Sequence, residues 1–421
     1  MLYVGILIFI AVFYCIITEK IPSAWATMAG GLLMTMIGII NQEEVLETVY
    51  NRLEILFLLV GMMMIVLLVS ETGVFQWFAI KVAQLVRGEP FKLIILLACV
   101  TALCSAFLDN VTTILLMAPV SILLAKQLKL NPFPFVITEV MSANIGGLAT
   151  LIGDPTQLII GAEGKLTFNE FLVNTAPVAI LSMISLLATV YFMYAKNMKV
   201  SNELKAKIME LDSSRSLKDI KLLKQSIVIF SLVIIGFILN NFVDKGLAMI
   251  ALSGAVCLSL LAKKSPKEMF EGVEWETLFF FGGLFVLVEG VDKLGIISKI
   301  GELLVEFTDG DLELTSSVVV VLSAILSPIL GSVPYTLSFS KIIASIVPDF
   351  VGNTDVLWWA LSLGACLGGN MTMVGAPANI VGVSIAGKAD VHISFMDFFK
   401  YGILVVAESV ILSIIYINLR Y

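Results

Sequence analysis

Two stretches, SANIGGLATLIGDPTQLIIG (Ser142–Gly161) and LGGNMTMVGAPANIVG (Leu367–Gly382), decide how this chain is read. Overlaid at an offset of 222 residues, they bring Gly146-Gly147 onto Gly368-Gly369, Thr150 onto Thr372, Gly153 onto Gly375 and Pro155 onto Pro377. The register continues upstream without a gap. Leu108 meets Leu330, Ser105 meets Ser327, Gly73 meets Gly295, Gly61 meets Gly283, Phe57 meets Phe279 and Glu54 meets Glu276. Shared apolar composition would match Leu and Phe by chance, but not Gly, Thr and Pro in register, so the chain reads as a duplication. Within each stretch, glycine pairs let the backbone unwind and approach closely, and proline ends what would otherwise be a helix.

The surrounding composition places the duplication in a membrane. Of 421 residues 59% are hydrophobic and 14% charged, outside the range of a soluble domain. A net charge of -7, with 33 acids against 26 bases, excludes a nucleic-acid binder, and the hydrophobicity excludes a disordered chain. One His and five scattered Cys leave little for a zinc site or a disulfide framework. The expected fold is all-α and polytopic. The opening apolar run, Met1 to Ile17, lacks a basic n-region and a small-residue cleavage site, so it reads as a retained span. Further runs of spanning length are Ala24 to Ile40, Leu53 to Ser70, Phe135 to Gly161, Leu172 to Ala195, Ser226 to Phe242, Gly246 to Ala262, Glu276 to Val291, Trp358 to Ala386 and Tyr401 to Ile417. Leu93 to Ala125 and Val318 to Ile346 are too long for one span and break at Asp109-Asn110 and at Gly331-Ser332-Val333-Pro334. Such runs suggest re-entrant hairpins whose tips are buried in protein or line a wet cavity.

The polar segment Lys196 to Lys224 carries eight Lys/Arg against four acids, which places it in the cytoplasm by the positive-inside rule. The domains expected are a first repeat over 1–196, a cytoplasmic linker over 197–223 and a second repeat over 224–421. Each repeat has five spans, one of them broken, plus one hairpin. An odd number of spans inverts the second repeat relative to the first, so the hairpins enter from opposite faces and both termini lie outside. Inverted repeats with interrupted helices at matching positions point to a secondary transporter with its site near the midplane.

The strings SAFLDNVTTILLMAPV (Ser105–Val120), SANIGGLATLIGDPTQLIIG and LGGNMTMVGAPANIVG resemble those of the ion-transporter superfamily. Within it they are similar to the arsenite-permease, sodium–proton antiporter and melanosomal P-protein branch, with sodium–dicarboxylate and citrate transporters as more distant relatives. The resemblance implies hairpin tips at Asp109 to Thr113 and Ser332 to Thr336, with unwound segments at Gly147 to Pro155 and Gly369 to Pro377. Relatives in this branch often carry Asp-Asn in both hairpins. Here the second has Gly331-Ser332, and Asp154 faces Ala376, so one ion or proton site built mainly from the first repeat is expected.

Intramembrane ionisable groups are costly and default to functional candidates. Asp109 and Asp154 sit inside helix breaks and, with Asn110, are the candidate sodium or proton site; capping a half-helix is their competing role. Asn110, Thr112, Thr113, Thr150, Asn370, Thr372 and Asn379 are candidate substrate or ion ligands, against interhelical hydrogen bonding. Gly147, Ser332, Pro334, Thr336 and Gly369 join the set through the resemblance. Glu139, Glu289, Lys341 and Glu408 lack motif support and read as snorkelling or structurally paired residues. Cys104 and Cys366 flank the motifs and invite a thiophilic metalloid, but small packing residues are the better reading.

No nucleophile elbow, phosphate loop or zinc motif appears, and Leu151 breaks the Gly-x-Gly-Asp pattern of aspartyl intramembrane proteases. The expected function is a plasma-membrane (inner-membrane) carrier, not an enzyme. It would move a small inorganic ion or oxyanion by alternating access, arsenite or antimonite efflux leading, in exchange with protons or sodium. The alternatives are sodium/proton antiport and sodium-coupled di- or tricarboxylate transport, with a channel or intramembrane protease remote. No cofactor is expected beyond a sodium ion. The partners expected are the bilayer, a second copy of the chain by resemblance, and a soluble ATPase if an ion gradient does not drive transport; nucleic acid is not among them.

Overall fold

A computed structural model describes residues 1–18, 20–195, 198–243 and 245–421, and is helical throughout, with no strand among the described residues. The boundary expected at 196 and 197 lies outside the described residues. The first half contains α1 (Leu2–Thr18), α2 (Ser23–Met36), α3 (Gln42–Tyr50), α4 (Leu53–Glu71), α5 (Val74–Leu85), α6 (Pro90–Ser105), α7 (Asn110–Gln127), α8 (Phe133–Gly147), α9 (Pro155–Gly164), α10 (Phe168–Asn174) and α11 (Ala176–Tyr194). A linker helix, α12 (Asn202–Met209), follows. The second half repeats the order with α13 (Ile220–Val243), α14 (Leu247–Leu261), α15 (Pro266–Glu271), α16 (Trp275–Lys293), α17 (Ile296–Phe307), α18 (Leu312–Leu330), α19 (Ser332–Ile346), α20 (Asp355–Gly368), α21 (Pro377–Lys388) and α22 (Phe395–Arg420).

Six helices among the described residues are long and apolar enough to cross a membrane: α4, α7, α11, α13, α18 and α22. Several expected spans are shorter. The 14-residue α2 rises only about 21 Å against a hydrocarbon core of about 30 Å. It lies along the 19-residue α16 of the other repeat, as α14 lies along α4. Small residues make these exchanged pairings close. A Cβ added to Gly61 would stand 2.8 Å from the Ala251 carbonyl carbon, and one on the equivalent Gly283 would stand 2.5 Å from the Met28 nitrogen. Together with α1, α3, α13 and α15, these four form one bundle, the scaffold.

The remaining helices form a second bundle, the core. In it α6 packs on α8 as α18 packs on α20, α7 on α21 as α19 on α9, and α11 on α8 as α22 on α20. Besides the chain-adjacent contacts of α4 with α5 and α16 with α17, the seam between the bundles is made where α16 meets α19, α4 meets α9, α1 meets α18 and α10 meets α13.

Ion pairs orient the repeats. α4 starts beside Arg52, which bonds Glu163 at the end of α9 (2.7 Å) and approaches Glu289 near the end of α16 (3.9 Å). It finishes at Glu71, bonded to Lys264 (3.0 Å) just ahead of α15 and the start of α16. Equivalent helices α4 and α16 therefore run in opposite directions. The first hairpin has its base at Glu89, tied to Lys205 of α12 (2.6 Å) on the linker face. On the opposite face, Lys341 toward the end of α19 bonds Glu289 (3.2 Å) and Asp292 (3.4 Å). The repeats are inverted and their hairpins enter from opposite faces.

Two elements were invisible as apolar runs. α5 and α17 are short helices, entered through Gly73 (φ 76°) and its equivalent Gly295 (φ 73°). At Gly295 an added Cβ would meet nothing, so the glycine serves the left-handed turn alone.

Candidate functional site

The two hairpin tips and the two broken helices converge, with different chemistry in each repeat. In the first, α6 ends at Ser105 and Asp109 caps α7, its Oδ1 accepting from the Thr112 nitrogen at 2.8 Å. Residues 148–154 separate α8 from α9, and Asp154 caps α9, accepting from the Thr156 nitrogen (2.8 Å) and hydroxyl (2.7 Å). The capping role thus holds for both aspartates, and it leaves other carboxylate lone pairs unused. In the second repeat Gly331 (φ 84°) alone joins α18 to α19, and neither α19 nor α21 receives a side-chain cap. The Ser332 nitrogen donates to the Gly375 carbonyl at 3.1 Å, tying the tip to the broken segment.

Not every candidate ligand faces the same task. Thr150 donates its hydroxyl to the Ala106 carbonyl, and Thr372 donates to the equivalent Pro328 carbonyl at 2.7 Å. These threonines pin each broken segment to its own tip. Gly147 and Gly369 serve close backbone approach: a Cβ would stand 2.7 Å and 3.3 Å from the Gly153 and Gly375 carbonyl oxygens respectively. By contrast Thr113, Ser332 and Thr336 are buried with hydroxyl groups that have no protein partner. Buried polar groups left unpaired cost free energy and call for a ligand or water.

Asn144, which no motif singled out, lies at the centre. Its Oδ1 accepts from Asn110 Nδ2 (3.0 Å), and its Nδ2 donates to Asn370 Oδ1 and Asn379 Oδ1 (2.8 Å each). Asn110 Nδ2 also donates to Asp154 Oδ2 at 2.6 Å. Asn379 donates to the Gly369 and Thr372 carbonyls at 2.8 and 2.7 Å. Cys366 is the repeat equivalent of Asn144, and its Sγ lies 3.3 Å from the Asn144 carbonyl oxygen. Equivalent positions in contact mark the pseudo-twofold axis. The only sequence signal for Asn144 was a lone amide inside an apolar run. Gln157, the equivalent of Asn379, was missed for the same reason and accepts from the Ser362 hydroxyl at 2.6 Å.

A cavity of about 270 Å³ lies beside this centre, between scaffold and core. Asp109 and Val111 of the first tip, Gly331 to Pro334 of the second, Pro155 and Pro377 line it on the core side. Leu59 and Met63 of α4 and Phe280 and Phe281 of α16 line the scaffold side. Glu274, Glu276 and Thr277 at the start of α16 form its rim, so it opens toward the linker face. Three carboxylates line it and, among the described residues, no Lys or Arg does. No cluster of three His, Cys, Asp or Glu side chains forms among the described residues, so any cation here would rely on aspartate, amide and hydroxyl oxygens.

The residues without motif support form pairs. Ser121 donates to Glu139, Lys341 binds Glu289, and Ser185 and Thr189 donate to Glu408 at 2.5 and 2.9 Å. Cys104 does not line the cavity, and Cys366 is buried in the amide cluster.

Comparison with known proteins places this geometry in context. Residues 13–364 match the Citrate transporter family, CitMHS. An uncharacterized transporter of Mycobacterium tuberculosis is 35% identical, with 99% of this chain and 98% of that protein covered. The P protein of Sus scrofa is 32% identical over 98% of this chain, which spans 59% of its length. The crystal structure of the Alcanivorax borkumensis YdaH transporter, described as having an unusual topology, superposes with a TM-score of 0.59 at 13% identity, covering 89% of this chain and 86% of that one. That similarity concerns the fold.

Proposed function

The chain belongs to the citrate transporter family, as a multi-pass membrane transporter rather than an enzyme, and from that premise we propose that it is a secondary active carrier coupling a small oxygen-bearing solute to a proton or sodium gradient by alternating access. The observation that carries this reading is the cavity shared by both tips, with three carboxylates on its wall and no basic residue among the described lining. A trianion such as citrate, bound without a counter-cation, would meet like charge there. A neutral hydroxylated solute such as arsenite or antimonite would not, and the unpartnered hydroxyl of Ser332, on the cavity wall, offers it a hydrogen bond. Efflux of such a metalloid, in exchange with protons or sodium, is the leading reading.

A second reading, sodium-coupled carboxylate transport, is favoured by the helix N-termini at Gly331 and Ala376, which no side chain caps and whose dipoles suit carboxylate oxygens. Sodium/proton antiport is the reading in which Asp109 and Asp154 act alone. In each, Asp109, Asn110 and Asp154 form the coupling-ion site. The placement that goes with this function is the inner membrane, with the linker cytoplasmic, both termini outside and an ion gradient rather than a partner ATPase as energy source; the assembly is a homodimer.

Proteoliposome uptake of arsenite, sodium and citrate in parallel, under imposed pH and sodium gradients, tests the proposal. Saturable gradient-driven arsenite flux supports the leading reading, and citrate flux supports the second. Single-channel currents, or no gradient-driven flux of any probe, would overturn the carrier assignment.

A further inference from the structure

The amide cluster has a direction, and that direction is fixed from one end. Asn379 gives both Nδ2 hydrogens to backbone carbonyls, Gly369 and Thr372, so its Oδ1 must face Asn144. Asn144 must then present Nδ2 to Asn379 and Asn370, leaving Oδ1 for Asn110. Asn110 in turn spends its Nδ2 on Asn144 and Asp154. Two amide ends are left over. On the first-repeat side Asn110 Oδ1, an acceptor, has no partner; on the second-repeat side Asn370 Nδ2, a donor, has none. Both side chains are fully buried. The chain is thus polarised, with an empty acceptor end beside Asp154 and an empty donor end in the second broken segment.

We propose that Asn144 is the coupling residue of this carrier, a relay that links a cation at the Asn110 end to an oxygen-bearing substrate at the Asn370 end. The inference rests on the carrier reading above and adds how its two ligands sense each other. A cation drawn to Asn110 Oδ1 polarises the amides in the sense that strengthens the donor character of Asn370, because hydrogen bonds in series polarise one another in a low-dielectric interior. It also holds Asn110 and Asn144 in the orientation that presents Asn370 Nδ2. Binding at one end therefore favours binding at the other, reciprocally. Asn144 touches neither ligand; it acts by positioning. The repeat equivalent is Cys366, which cannot bridge two amides, so the cluster holds one relay rather than a symmetric pair.

The test uses the full chain in nanodiscs, with arsenite affinity measured by calorimetry at low and at saturating sodium, and at acid and alkaline pH. Sodium affinity is measured with and without arsenite; citrate replaces arsenite in a parallel series. In the wild type the cation is expected to tighten substrate binding by about 5- to 150-fold, with the same factor in reverse. Asn144→Leu keeps the volume and removes the bridge, so each ligand still binds alone while that factor collapses to about one. Asn370→Leu leaves Asn144 in place and is expected to weaken substrate binding while sodium affinity measured without substrate stays unchanged. A wild-type coupling factor retained in Asn144→Leu overturns the relay alone. Equal loss of sodium and substrate affinity in Asn370→Leu overturns the separation of ends, and it reads out even where Asn144→Leu misfolds. A wild type that binds neither arsenite nor citrate overturns the carrier reading itself.

Discussion

Replacing Arg52 with Gln removes the charge that bolts scaffold to core on the face away from the cavity mouth. The Arg52 guanidinium donates twice to Glu163 Oε1, at 2.7 and 3.1 Å, and lies 5.3 Å from the centroid of the Phe285 ring. Its side chain is 10% exposed and that of Glu163 17%, so solvent screening is weak. A hydrogen bond to a charged partner is worth about 1.5–3 kcal/mol. Taking about 2 kcal/mol, and 1.4 kcal/mol per decade, the ratio of linker-open to opposite-open protein in the proposed alternating cycle falls roughly 30-fold. The assay is the maleimide labelling rate of Thr277→Cys on the cavity rim, from the linker side, with Cys15, Cys99, Cys104 and Cys257 replaced by Ala. Arg52→Gln and Glu163→Gln should each slow labelling, the double variant should slow it no further, and the charge swap Arg52→Glu with Glu163→Arg should restore it. If the two single effects simply add, or a folded charge swap labels as slowly as the singles, the bolt does not hold this state.

Three further outcomes are expected. Gly368→Ala would place its Cβ 2.7 Å from Ala324 Cα and 2.9 Å from the Ala324 carbonyl oxygen, backbone atoms that cannot rotate away. A loss of about 1–3 kcal/mol follows, read as a lower melting temperature in detergent, and an unchanged melting temperature would show that α18 and α20 have room to part. Asp109→Ala should abolish gradient-driven flux in proteoliposomes while the protein still elutes as a folded species; intact flux would remove Asp109 from the ion site. Lys205 beside Glu89 holds that carboxyl below its usual range. A depressed carboxylate stabilises the contact above the ordinary value of 4.5 and loses that contribution as pH falls through the lower, folded value. Hydrogen-exchange protection of α12, corrected for the intrinsic pH dependence of amide exchange, should accordingly stay flat above that pH and fall only in stronger acid.

Much of this architecture was legible because membrane helices announce themselves through apolar runs, and duplication through register. The broken spans at Gly147 to Pro155 and Gly369 to Pro377, and the tips at Asp109 and Gly331, fell where glycine, proline and a lone polar residue interrupt those runs. The two short helices α5 and α17 were not legible, since twelve residues with a mixed face neither span nor look like loops. The register pairs Gly73 with Gly295, but a glycine in an aligned pair does not by itself reveal a left-handed turn. The exchange of α2 and α14 between repeats leaves no trace in one sequence, because it is written in which small residues meet. Asn144 escaped for a related reason: one amide among apolar neighbours reads as an interruption, and only convergence with Asn110, Asn370 and Asn379 makes it a hub.

The seam between scaffold and core has a lopsidedness with a kinetic meaning. Contacts close α4 on α9 and α16 on α19, while across the cavity α4 faces α7 and α16 faces α21. Under the proposed alternating access, trading the roles of the two repeats would convert one arrangement into the other. The trade is unequal, however. The positions equivalent to Arg52, Glu163, Glu289 and Lys341 are Glu274, Ile385, Leu67 and Pro119, which can form no ion pair among themselves. The empty carrier should therefore rest with its mouth toward the linker. Its return from the other side should be the downhill leg, and the opposite swing the step that a coupling gradient, as proposed, would have to drive.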